Sequence, residues 1–114
     1  MENVLNQAKK VLHNNEEILS FISCSLETFI YRVVPRPGVL ILTDKRLFFY
    51  GPDIAGNELF EEYSYDKISS IKEEKNIFGN KILIKYDNDW VKIKYIQSKD
   101  PSMFVQKIRE TIQR

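Results

Sequence analysis

The fold is decided by residues 38–50, which have the sequence GVLILTDKRLFFY. Two apolar runs, Val39–Leu42 and Leu47–Tyr50, flank the polar group Thr43–Arg46. Strand-forming runs on both sides of a short polar turn predict an antiparallel β-hairpin. Because every position of the two runs is apolar, both faces of this hairpin are expected to be covered.

Strand-like segments continue on both sides of this hairpin. Residues 18–26 and 29–34 are rich in β-branched and aromatic side chains and predict one long or bent first strand. Further strands are predicted at 59–65 and 68–74, with turn residues between them. The short connections favour an antiparallel meander.

The closing hairpin, residues 81–95, has the clearest alternation. Its apolar positions should face the core, and its other positions should form a largely basic outer face. The expected inward set is Ile82, Ile84, Tyr86, Val91, Ile93 and Tyr95. The expected outward set includes Lys81, Lys85, Trp90, Lys92 and Lys94.

Helices are predicted at both ends of the chain. Apolar residues recur at helical spacing over residues 2–13, and Asn14 with Asn15 suits a left-handed stop. At the other end, Asp100 is a good N-cap and Pro101 suits the first helical position. The count is about seven strands and two terminal helices.

Length and composition indicate one globular domain. The 114 residues are 43% hydrophobic and 29% charged, with a net charge of +1. We expect residues 1–15 to form an amphipathic helix that is part of the same domain as residues 16–114.

Near-neutral charge argues against a nucleic-acid binder. No signal peptide or membrane span is predicted, so we expect a cytoplasmic chain with at most peripheral membrane contact.

The rare residues argue against an enzyme. One cysteine, Cys24, excludes an internal disulfide, and Cys24 with the single histidine, His13, cannot complete a zinc site. No phosphate-binding glycine loop or paired carboxylates occur at a useful spacing. We therefore expect no catalytic residue, metal, cofactor or small-molecule substrate.

Two segments carry a family resemblance. Residues 38–49 resemble a hallmark of bacterial pleckstrin-homology-like (PH-like) domains, in which a Thr-Asn/Asp-Lys-Arg turn joins two apolar strands. Residues 63–71, YSYDKISSI, are similar to a second segment of that family. The resemblance covers roughly residues 16–114. It implies a mainly β fold, in which a two-sheet antiparallel sandwich or open barrel of seven strands is capped by a C-terminal helix.

The resemblance also indicates where a phosphoinositide headgroup binds in eukaryotic PH domains, at the open end of the sandwich. The corresponding loops here offer Arg32 and Arg36 as weak headgroup candidates. They also carry four carboxylates, at Asp53, Glu58, Asp87 and Asp89. A phosphate cage needs several convergent cations or backbone donors, so this pocket is expected to be missing.

Two other surfaces remain as candidates. The outer face of the closing hairpin could bind an anion or acidic partner, or be a solvated face on which lysine blunts strand association. A two-residue turn there is expected to place Lys85 opposite Lys92. The second candidate is the outward set of the first hairpin, Val39, Ile41, Phe48 and Tyr50, which the N-terminal helix or a second subunit could cover.

The function predicted from sequence is that of a non-enzymatic PH-like adaptor. It would mediate protein–protein contact through Val39, Ile41, Phe48 and Tyr50, including self-association as a homo-oligomer. The alternative is weak peripheral binding to anionic phospholipid headgroups through the lysines of the closing hairpin or through Arg32 and Arg36.

Overall fold

A computed structural model describes residues 4–27, 36–52, 58–75, 77, 79–98 and 100–113. Its helices are α1 (Val4–Ala8), which continues as a 3-10 turn (Lys9–Val11), and α2 (Pro101–Ile112). Its strands are β1 (Ile18–Glu27), β2 (Arg36–Thr43), β3 (Leu47–Gly51), β4 (Leu59–Tyr63), β5 (Ile68–Glu74), β6 (Lys81–Tyr86) and β7 (Asp89–Gln97). A second 3-10 turn, Tyr65–Lys67, links β4 to β5.

The seven strands form one antiparallel sheet with the order β4-β3-β2-β1-β7-β6-β5. The sheet curls into a half-barrel, and β1 joins its two halves because it pairs with both β2 and β7. The prediction of a mainly β, PH-like fold with a helix at each end is confirmed. The predicted strand over residues 29–34 lies outside the described residues.

The main core lies inside this curve, and α2 closes it. Phe104, Val105 and Ile108 of α2 pack against inward residues of both halves of the sheet. The start of α2 is capped as the sequence predicts, since Asp100 Oδ1 accepts a hydrogen bond of 3.1 Å from the Met103 backbone N–H. Burial of this apolar stripe is therefore what holds the helix.

The first hairpin forms as predicted, with residues 39–42 paired to residues 47–50. Leu42 faces Leu47 across the turn Thr43–Arg46. The Thr43 hydroxyl accepts hydrogen bonds from the backbone N–H groups of Lys45 (3.1 Å) and Arg46 (3.0 Å). A short hydroxyl side chain at the first turn position can satisfy these donors locally, which explains why threonine suits this site.

Candidate functional site

The outward face of the first hairpin is buried inside the chain. Val39, Ile41, Phe48 and Tyr50 are 3%, 0%, 0% and 2% exposed. They form a second core with Ala8 of α1. Around it pack Val4, Leu5, Val11, Leu12 and Ile18. The prediction that these four side chains present a surface to a partner is therefore corrected, because the chain's own N-terminal segment, residues 4–17, already covers them.

An ion-pair cluster around the buried side chains of Arg46 and Glu16 anchors this N-terminal segment. The Arg46 guanidinium donates to Glu16 Oε2 at 2.9 Å and to Glu16 Oε1 at 3.1 Å. It also donates to Glu62 Oε2 and to the Val11 carbonyl, each at 2.9 Å. The planar fork of arginine is suited to such bidentate pairing. The arginine of the family-like turn is thus a structural residue.

The charges in this cluster stabilise one another. Burial alone would raise the pKa of Glu16, but hydrogen bonds from Arg46, the His13 backbone and Thr43 lower it to about 2. Burial likewise disfavours the Arg46 cation, while Glu16 and Glu62 outweigh it and raise the pKa of Arg46. Both groups therefore stay ionised over the ordinary pH range.

A basic face lies on the outer side of β5, β6 and β7. Inward Ile71, Ile84 and Val91 alternate with outward residues, and Lys72, Leu83 and Lys92 lie side by side across the three strands. We call the outward residues Lys72, Lys81, Leu83, Lys85, Trp90 and Lys92 the basic face; the exposed Glu74 lies at its edge, opposite Lys81. The strand pairing brings together the sequence-predicted Lys81, Lys85, Trp90 and Lys92 on this face.

Trp90 lies at the centre of the basic face. The Lys72 and Lys85 ammonium nitrogens lie 5.1 Å and 5.9 Å from the centroid of its ring. Both distances fall within the range of cation–π attraction, about 6 Å. Sequence reasoning missed Lys72, although the buried Ile71 beside it places Lys72 outward by simple alternation.

The register of this hairpin differs from the expected one. The two turn residues are Asp87 and Asn88, so Lys85 faces Trp90 and Lys92 faces Leu83. Asp87 has a φ of 59°, a left-handed conformation that aspartate tolerates. The prediction that Lys85 lies opposite Lys92 was wrong, and the actual register avoids that like-charge pair.

The lysines of this surface fall into two groups. Lys94 forms an ion pair of 2.5 Å with Glu27 of β1, so its charge is locally balanced. Within the described part of the chain, Lys72, Lys81, Lys85 and Lys92 have no carboxylate oxygen within 4.0 Å. Lys72 and Lys85 lie next to Trp90, whereas Lys81 has Glu74 as its cross-strand neighbour and Lys92 has Glu27.

Tyr95 does not follow the predicted alternation. It is 70% exposed and has a φ of 51°, and the β1–β7 register shifts between Ser23 and Ser25 opposite it. Ile96 packs against the main core in its place. The prediction that Tyr95 faces the core was wrong, because a β-bulge turns the strand by one residue at this point.

The headgroup candidates receive little support. Arg36 is half-buried, and its guanidinium donates to the Gly51 carbonyl at 3.4 Å. Arg32 lies outside the described residues, as do residues 53–57 of the second loop. These two arginines therefore stay a prediction without a described binding pocket.

The described residues show no cluster of reactive side chains that would form a catalytic site. Cys24 is 5% exposed, and burial raises the pKa of its thiol to about 12, which disfavours a reactive thiolate. Among the described residues, three or more potential metal ligands nowhere come together. None of the described helices is long and apolar enough to cross a membrane.

Comparison with known proteins agrees with this architecture. A family profile for the bacterial PH domain matches residues 12–110. The crystal structure of the C-terminal domain of an unknown protein from Leishmania infantum has a similar fold, with a TM-score of 0.75 and 20% identity over 98% of this chain and 100% of that one. No curated protein matches. Since the profile covers most of the chain, including the hairpin, the closing strands and most of α2, the chain belongs to the bacterial PH domain family.

Proposed function

We propose that this domain is a binding module that docks an acidic segment of another protein on the basic face. Domains of this family are generally non-catalytic binding modules. The observation that carries the proposal is the position of Lys72 and Lys85 beside Trp90, neither of them within 4.0 Å of a carboxylate oxygen among the described residues. An acidic partner would supply the missing negative charge.

The apolar centre of the basic face favours a protein partner over a membrane. Leu83 and Trp90 are half-buried. Tryptophan at the centre of a polar rim is typical of protein interfaces, where it often contributes most to affinity. Insertion into lipid headgroups would need apolar side chains that stand above the charged ones.

The test compares two probes on the full chain. One is a twelve-residue peptide of alternating glutamate and serine, and the other is a vesicle of phosphatidylcholine and phosphatidylserine at 7:3. We expect the peptide to bind at low salt and to be released as salt rises, since exposed charge pairs are screened. A matched peptide with glutamine in place of glutamate should not bind.

Charge reversal locates the site. The double variant Lys85→Glu/Lys92→Glu removes two attractions and adds two repulsions, each about 0.5 kcal/mol, so binding should weaken about 30-fold. Lys107→Glu, at an exposed position on α2, is the matched control and should leave affinity within about twofold. Equal affinity of wild type and double variant would overturn the proposal. So would binding to the vesicles without binding to the peptide, which would favour the phospholipid alternative.

A further inference from the structure

A solvent-open cleft of about 290 Å³ lies beside the bulge at Tyr95. Its apolar walls come from four parts of the chain, namely the start of α1, the first residues of β2, the residue after β3 and the end of β7. They are Val4, Pro37, Val39, Pro52 and Tyr95. This volume is at the lower end of the range for small-molecule pockets, about 300 to 1,000 Å³, and leaves room for one large side chain.

The backbone at Tyr95 keeps the aromatic wall of this cleft outside the core. A left-handed φ of 51° at a tyrosine is uncommon and costs roughly 1–3 kcal/mol. With Tyr95 turned outward and 70% exposed, Ile96 packs against the main core instead. The fold thus places an exposed tyrosine at the mouth of an apolar cleft.

The cleft is continuous with the basic face along β7. Lys92 and Lys94 point outward, and the bulge places Tyr95 on the same side directly after them. Ser25, which pairs with Lys94, also lines the cleft. At about 3.3 Å per strand residue, the cleft lies about 10 Å from Lys92 and about 17 Å from Trp90.

We propose that the cleft binds one large apolar side chain of the same acidic segment, located three to five residues from the segment's acidic residues. The charge of the basic face selects the acidic residues, and the cleft selects the apolar one. The spacing follows from the distances along β7, because an extended segment advances by about the same amount per residue. This inference rests on the proposed function, since it assigns the partner chemistry of the same surface.

The test uses two labelled peptides that differ at one position. Each has three consecutive glutamates, and the fourth residue after them is leucine in one peptide and alanine in the other. Burying the larger side chain should make the leucine peptide bind about tenfold more tightly to the full chain. Tyr95→Ala removes a wall of the cleft and should reduce this ratio to about twofold. The matched control, Met103→Ala, truncates a similarly exposed side chain on α2 and should keep the ratio near tenfold.

A second variant fills the cleft. Ser23→Leu adds a side chain from the β1 wall and should also reduce the ratio to about twofold, so the test holds even if Tyr95→Ala is poorly folded. Equal affinity of the two peptides for wild type would overturn the inference and leave the proposed function standing. A leucine preference that survives both cleft variants would overturn it as well. If neither peptide binds at low salt, the proposed function itself fails.

Discussion

Removing one buried charge should test how the N-terminal segment is held. Glu16→Gln keeps the shape of the side chain but removes the negative charge that faces Arg46 at 2.9 Å. The Glu16 side chain is 0% exposed, so water cannot replace the lost interaction. Glu17→Gln is a matched control, because Glu17 is the next residue, is exposed, and contributes its backbone N–H to Asp44.

The expected magnitude follows from the pKa of Glu16. Folding lowers that pKa from 4.5 to about 2. At 1.36 kcal/mol per pKa unit, the ionised carboxylate contributes about 3 kcal/mol to the free energy of unfolding. For a lowered pKa, this contribution is complete above pH 4.5 and is lost as the pH falls toward 2.

Urea denaturation at two pH values measures this contribution. At pH 7 we expect the midpoint of Glu16→Gln to fall by roughly 2 M, taking an m value of about 1.5 kcal/mol/M, while Glu17→Gln stays within about 0.3 M of wild type. Near pH 2, wild type and Glu16→Gln should converge. Equal urea midpoints of wild type and Glu16→Gln at pH 7 would refute the reasoning. So would a midpoint difference between them that is the same at both pH values.

Three further outcomes are expected. Native Cys24 should react with iodoacetamide far more slowly than the same thiol in guanidinium, because it is buried and its pKa is raised to about 12; equal rates would contradict this. Tyr63→Phe should leave the free energy of unfolding unchanged or raise it by up to about 1 kcal/mol, since the buried Tyr63 hydroxyl has no hydrogen-bond partner among the described residues; a lower urea midpoint would contradict this. Deleting residues 1–12 should expose Phe48 and its neighbours and raise the mass measured by light scattering, whereas a folded chain of unchanged mass would contradict that expectation.

Local pattern was sufficient to predict the hairpins. The polar group Thr43–Arg46 between two apolar runs leaves few other arrangements, and in the structure Leu42 pairs with Leu47 across it. The β6–β7 turn was harder, because Asp87, Asn88 and Asp89 are all good turn residues. Which two of them form the turn decides every cross-strand neighbour of Lys85, and composition alone does not distinguish the choices.

The bulge at Tyr95 could not be found by alternation. A tyrosine after Val91 and Ile93 fits the inward pattern, and nothing in its neighbours marks an extra residue. The shift arises where β7 pairs with β1, a strand about 70 residues earlier in the chain, so it depends on the register of a distant partner. The cleft beside Tyr95 could not be predicted from the sequence for the same reason.

The sequence alone does not say whether the N-terminal helix or a second subunit covers the apolar hairpin. Helical periodicity alone does not say where a short helix docks, and α1 has only five residues. The contacts that hold the segment are long-range, since Arg46 reaches Glu16 and the Val11 carbonyl, 30 and 35 residues away. Adjacent glutamates at positions 16 and 17 gave no sign of which one would be buried.

The distribution of charge supports a binding role for the basic face over a purely solubilising one. Residues 1–66 carry six basic and ten acidic residues, whereas residues 67–114 carry eleven and six, so the net charges are −4 and +5. Lysines that only keep an exposed sheet soluble need no aromatic residue among them, and mixed signs serve that purpose as well. Here Lys72 and Lys85 flank a half-buried tryptophan, and the one ion pair described on this side, Lys94 with Glu27, lies between them and the cleft. The N-terminal segment covers the outer face of β2 and β3. The outer face of β5–β7 carries lysines and Trp90, and an apolar cleft adjoins it. An acidic segment with one apolar anchor would require this combination.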